Sequence, residues 1–279
     1  MGGRLISLTV FLFFWYVVSM KKYLVSIVVI CLFFCGTAYG LEISGLQPLA
    51  PNGTFSTFST SSLAKGKVAF STDVEVSLDP DLCKFFLKGA YGISDRIELI
   101  MNIPYVFGSD SPDGFEDIAI GLKHRFFDEG KYGPSLAYIV TTSLPSGTDE
   151  YSTDGRIGAG LLLSKKVGPV NGHVNIFFVI PGRGEFDNEV ALLAGLDFAA
   201  SHNFKILAEL YSKTSFKTGK VESVEGRIGY RIKATDSIYT TVGAGYDFKN
   251  RNPETRLMFS VTFVSPSKKK EIKKIYEEE

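Results

Sequence analysis

From Lys67 to Val264 the chain falls into about twelve segments in which apolar residues recur at every second position. The segments run approximately over 67–78, 82–91, 96–107, 115–127, 135–145, 156–165, 173–180, 189–200, 204–213, 222–232, 238–249 and 255–264. A period of two is the side-chain period of a β-strand, so each segment has one apolar and one polar face. In one of them Ile97, Leu99, Met101, Ile103 and Tyr105 alternate with Glu98, Ile100 and Asn102. No helical periodicity interrupts the run, which predicts an all-β fold. The apolar faces then cover either the core of a soluble sandwich or the hydrocarbon of a membrane.

Three features favour lipid. Most segments have about 9–12 residues, against about 5–6 for an ordinary strand; a tilted membrane-spanning strand needs about 9–11. Alternate connections differ in length. GSDSPDG, SGTDEYST, PGRGEFDN and KTGKVES lie on one side, and the shorter ISD, DEGKYG, SHN and KATDS on the other, as in barrels with long outer loops and short inner turns. The apolar face is expected to carry no Asp, Glu, Lys or Arg, and to gather aromatics at its two ends. Tyr91, Phe126, Phe198, Phe204, Tyr230 and Phe263 fall at the short-turn end, and Tyr105, Phe107, Tyr246 and Phe248 at the long-loop end. Such girdles mark membrane interfaces. The predicted fold is a transmembrane antiparallel up-and-down β-barrel of about twelve strands, with a backbone diameter of about 24 Å.

The N-terminus agrees with export. Met20-Lys21-Lys22, the apolar YLVSIVVICLFF and Ala38-Tyr39-Gly40 form the charged, apolar and small-x-small parts of a secretory signal. The reading is an extension plus signal over 1–40 with the true start at Met20, a Ser/Thr-rich irregular lead-in over 41–66, a barrel over 67–264 and a charged periplasmic tail over 265–279. Removal of the signal takes Cys31 and Cys35 with it and leaves Cys83 alone, without a disulfide. The expected location is the bacterial outer membrane. The expected partners are the lipid bilayer, a small-molecule solute and the barrel-assembly machinery. Formal net charge is zero, and no basic stripe with interleaved aromatics suggests nucleic acid.

The polar face is charged with both signs. Its expected lumen-lining residues are Arg96, Glu98, Asp117, Lys123, Arg125, Arg156, Glu209, Glu225, Arg227, Arg231, Asp247 and Arg256, with glycines interleaved. They suit a channel for small molecules. Paired across the bore they suit instead a structural barrel with a plugged lumen. A third reading, a lipid-modifying barrel enzyme, needs a Ser beside a His. His124, His173 and His202 have no Ser two positions on. His124, on the apolar parity near an interface, is expected to anchor rather than catalyse. No catalytic residue, metal ligand or cofactor site is expected, and GRIGAG at 155–160 lies inside a strand with no helix after it.

Certain motifs carry a resemblance. Tyr91, Gly92, Asp95 and Arg96 lead to Pro104-Tyr105; Gly114 and Asp117 lead to Gly121-Leu122-Lys123; then come Leu144, Pro145 and Gly147. Over about residues 85–180 the chain resembles a family of outer-membrane transporters named from a phenol-degradation (meta-pathway) gene cluster. The resemblance implies a barrel that moves small compounds, aromatic or apolar ones among them.

Overall fold

The computed structural model describes residues 45–78, 81–108, 112–184, 186–249 and 255–266. The expected signal over 1–40, residues Asp79 and Pro80, and the expected tail beyond Pro266 lie outside them. Twelve long strands follow one another: β1 (Val68–Leu78), β2 (Asp81–Gly92), β3 (Ile97–Gly108), β5 (Ala119–Phe127), β6 (Ser135–Ser143), β7 (Arg156–Val167), β8 (Val170–Pro181), β9 (Glu189–Ala199), β10 (Phe204–Ser215), β11 (Val221–Lys233), β12 (Ile238–Asp247) and β13 (Thr255–Val264). A two-residue strand, β4 (Gly114–Phe115), adds to β3 at the long-loop end. Every long strand pairs antiparallel with its sequence neighbours. The circle closes where β1 meets β13, from Ala69 opposite Val264 to Ser77 opposite Arg256. The fold is therefore a closed up-and-down barrel of twelve strands. Closure satisfies every strand edge, as hydrocarbon requires.

The register sends alternate residues out and in. Leu122, Val140, Ile157, Leu161, Ile176, Leu192, Leu210 and Ile228 are exposed, although each is large and apolar. An exposed apolar belt around a closed barrel is a lipid-facing surface. Both girdles form. Phe204 stacks on Tyr230 at 5.7 Å at the short-turn end, and Tyr105 packs on Phe107 and Tyr246 on Phe248 at the long-loop end, at 4.8 and 5.3 Å. His124 lies in the first girdle, edge-on to Tyr138 and 3.2 Å from its hydroxyl, which is the anchoring role.

The expectation of a charge-free outer face needs correction at strand ends. Lys165 lies on the outward parity of β7, opposite Gly172. Its amine turns to the carbonyls of Gly130 and Gly133 at 2.7 and 3.1 Å and to Glu129 at 3.3 Å. Glu222, beside a register shift between β10 and β11, pairs with Lys213 at 3.5 Å. Charges within reach of the interface escape the penalty that applies at mid-bilayer.

Candidate functional site

The lead-in does not stay outside. Residues 45–63 enter the barrel and fill its lumen: Leu46, Gln47, Leu49, Thr54, Thr57, Phe58 and Thr60 are all buried. The cause lies in the two halves of the inner wall. On β3 and β5–β9 the inward face carries an apolar patch among polar residues, with Ile100, Ile139, Leu162, Phe177 and Leu193 forming one cluster with Leu46, Leu49, Phe58 and Leu63 of the inner segment. Phe58 lies 6.0 Å from the Phe177 ring. The inner segment thus covers apolar surface that the wall alone leaves open to water.

On β1 and β10–β13 the wall is charged, and it grips the segment's backbone. Glu209, on β10, accepts hydrogen bonds from the Thr54 hydroxyl (2.5 Å) and from the backbone N–H groups of Phe55, Ser56 and Thr57 (3.1, 2.9 and 2.8 Å). Arg231 donates to the carbonyls of Gly53 and Thr54 at 2.8 and 3.2 Å. Lys123, on the opposite side, donates to the Ser61 carbonyl at 2.6 Å. Asn175 holds both backbone groups of Phe58, accepting from its N–H at 2.6 Å and donating to its carbonyl at 2.9 Å. A strandless segment buried in a barrel must have its peptide groups satisfied by something, and here wall side chains do it.

Two of the glycines interleaved with these charges are there for space. A Cβ on Gly195 would meet the Thr54 hydroxyl at 2.7 Å, and one on Gly243 would run into the Phe55 ring. Between the inner segment and the wall of β1, β12 and β13 remains a cavity of about 30 Å³, lined by Gln47, Thr54, Asp73, Arg231, Thr241 and Thr262 among others. That is room for about one water.

The twelve expected lumen residues divide. Glu98 and Lys123 pair at 2.6 Å inside the barrel. Arg227 pairs with Glu225 at 2.9 Å and with Glu209 at 3.2 Å, and Arg256 reaches Glu75 at 3.3 Å and Glu225 at 3.5 Å. Together with Arg231 these residues face the inner segment rather than an open bore. Asp247 and Arg156 lie at the long-loop end, where Asp247 accepts from the Ser223 hydroxyl at 2.6 Å and Arg156 donates to that of Thr153 at 2.9 Å. Arg96 and Arg125 do not line the lumen. They sit at the short-turn rim and both bind Asp128, because their strands begin and end there.

Asp117 is a loop residue, not a wall residue. It lies between β4 and β5 and is 5% exposed. It accepts from Gly147 N–H (3.1 Å), the Ser152 hydroxyl (2.8 Å), both N–H and hydroxyl of Thr153 (2.9 and 2.8 Å) and Gly155 N–H (3.2 Å). Gly114, Asp117, Leu144, Pro145 and Gly147, far apart in sequence, therefore meet in one clasp that folds the 144–155 loop against the barrel mouth. Burial raises the Asp117 pKa, but the bonds from Thr153, Ser152 and Gly147 outweigh it and hold the carboxyl below its ordinary value. A folded-state value below the unfolded one means the clasp is fully present above the ordinary carboxylate range and is lost as pH falls through the lowered value. Asp117→Ala should free the loop at neutral pH, at about 2–3 kcal/mol, by leaving its donors unanswered. Limited proteolysis within 144–155 should rise sharply in the mutant, and in the wild type only in acid.

Sequence spacing missed one pairing. Ser164 and His173 stand directly opposite on β7 and β8, and Ser164 Oγ lies 2.8 Å from His173 Nδ1. The same oxygen accepts from the Thr60 backbone N–H at 3.0 Å, so the pair serves as a further hold on the inner segment.

No family model matches the chain, and no curated protein does. Solved structures do match. The COG4313 outer membrane channel from Pseudomonas putida F1 superposes with a TM-score of 0.54 at 12% identity, covering 74% of this chain and 97% of that one. A KdgM porin gives 0.53 at 11%, covering 70% and 98%, and a NanC porin 0.52 at 10%, covering 71% and 98%. The fold is that of outer-membrane channels. At such identities the likeness is one of architecture, and function has to come from the lumen.

Proposed function

We propose that the protein is an outer-membrane channel or transporter for small molecules, aromatic or apolar ones among them, closed by its own residues 45–63. The motif resemblance to the phenol-degradation transporters supports the solute class, and the likeness to porins and channels supports the barrel's setting. The observation that carries the reading is the lumen. A barrel of twelve strands encloses more space than its wall fills, and here a segment outside the sheet fills the remainder. Beneath that segment lies an apolar surface (Ile100, Ile139, Leu162, Phe177) opposite a charged one (Glu209, Arg227, Arg231). A solute with an apolar body and polar groups fits such a two-sided passage.

The second reading is a structural barrel whose inner segment is a permanent core. Its favouring observation is the depth of that packing, with Phe58 and Thr57 almost fully buried. Planar-bilayer recording and liposome uptake of small aromatic solutes separate the two. A variant lacking residues 45–61 should conduct at least tenfold more than wild type. Silence of the deleted, correctly folded barrel in both assays would remove the channel reading and leave the structural one.

A further inference from the structure

We propose that residues 45–61 are a gate that leaves the lumen as one folded piece, with Glu209 as its latch; this rests on the channel reading above and names how that lumen is regulated. The piece holds itself together. Asn52 N–H donates to the Leu49 carbonyl at 2.8 Å, Thr54 N–H to that of Thr57 at 2.9 Å and Ser59 N–H to that of Asn52 at 3.1 Å, and Gly53 and Phe58 form an isolated β-bridge. None of its residues belongs to the barrel sheet. Its link to β1 runs through residues 62–67, in which Leu63 is packed in the lumen cluster and Ala64, Lys65 and Gly66 are exposed. A compact hairpin on an open link can move without unzipping any strand.

The wall is prepared for its departure. Four of the ionised groups that hold the segment also have a charged partner in the wall: Glu209 has Arg227 at 3.2 Å, Lys123 has Glu98 at 2.6 Å, Lys88, which holds Gln47, has Asp73 at 2.6 Å, and Glu75, which accepts from Gln47, has Arg256 at 3.3 Å, while Arg231 keeps the Thr241 hydroxyl at 3.0 Å. Removing one member of a buried pair is expensive because it strands the other's charge. Here the hairpin is the third party to pairs that survive without it. The two signs in the lumen therefore lower the electrostatic cost of opening, which favours a gate over a permanent core. Glu209 is the latch because one carboxylate gathers four donors from four consecutive residues, so a single change there weakens the whole hold.

A disulfide staple tests this on the full-length protein. A Cβ at Gly195 would lie 3.0 Å from that of Thr57, inside the roughly 3.5–4.5 Å of a disulfide, so the hairpin has to back off by at least about 0.5 Å to admit the bond. In the Thr57→Cys, Gly195→Cys variant, oxidation should silence solute flux and reduction should restore it. Glu209→Gln should raise the open fraction about tenfold over wild type. Equal flux in the oxidised and reduced variant would overturn the gate. If the 45–61 deletion conducts in that case, the channel reading stands and only the gate fails; if the deletion is silent too, both fail. Should the deletion not fold, the redox comparison within the stapled variant decides the gate alone.

Discussion

Met101→Arg should abolish the folded barrel, whereas Ile100→Arg, one position earlier, should leave the barrel folded and empty its lumen. Met101 is 41% exposed on the outer face of β3. It lies between Leu99, which pairs with the girdle residue Tyr91, and Tyr105 of the other girdle. Arg there enters the middle of the apolar belt at about 2–4 kcal/mol, with no interface in reach. Ile100 is 2% exposed on the inner face, clustered with Leu46 and Leu49 of the inner segment. A guanidinium there has to displace Leu46 and Leu49 and lose its water while the segment is docked, a penalty of several kcal/mol on the closed state. It has water once the segment leaves. Heat-modifiable gel mobility should therefore show no folded band for Met101→Arg and a normal one for Ile100→Arg, with raised conductance in the latter. Equal loss of folded barrel in both would show that the register of β3 is misassigned.

Gly243→Leu should act on the lumen alone. Gly243 is not in the left-handed backbone region, so its lack of a side chain serves space rather than conformation. It faces Gly229 across the β11–β12 pair, and the Phe55 ring fills the gap the two leave. Leucine needs that volume and cannot share it, a conflict of overpacking that costs about 1–3 kcal/mol or displaces the ring. The outer face of β12, with Val242 and Ala244, is untouched. Proteolytic cleavage near residues 52–57 should appear in the folded mutant and be absent from wild type, and conductance should rise with it. A folded mutant with an uncut segment and wild-type conductance would mean that Phe55 repacks without cost.

Much of the barrel was legible before any coordinates, because lipid imposes rules that act residue by residue. Period-two alternation, strand length and the placing of Tyr91, Tyr105, Phe204 and Tyr246 each depend only on where a residue sits along its own strand. The limits of that reading lie at strand ends. Lys165 and Glu222 share the outward parity, and only their closeness to the rim makes them tolerable. Arg96 and Asp117 continue the inward parity of β3 and β5 but stand just outside those strands, and Arg125 stands at a register shift near the end of β5, so parity no longer says what they face.

The lumen was far less legible. Ile100, Ile139, Leu162, Phe177 and Leu193 are apolar at inward positions, and the FSTFSTSS stretch carries two aromatics among uncharged hydroxyls. Each is a weak signal by itself, and neither names the other as its partner. The sequence by itself determined the barrel, the inward and outward parity of its strands and its lipid-facing belt, because a strand's two faces follow from local alternation under a uniform solvent. Only the tertiary structure decided what fills the interior. Contacts such as Thr54 with Glu209, 155 residues apart, and Phe58 with Asn175, 117 apart, depend on which strands curve round to face one segment. Closure of the barrel sets that geometry, and no periodicity along the chain encodes it.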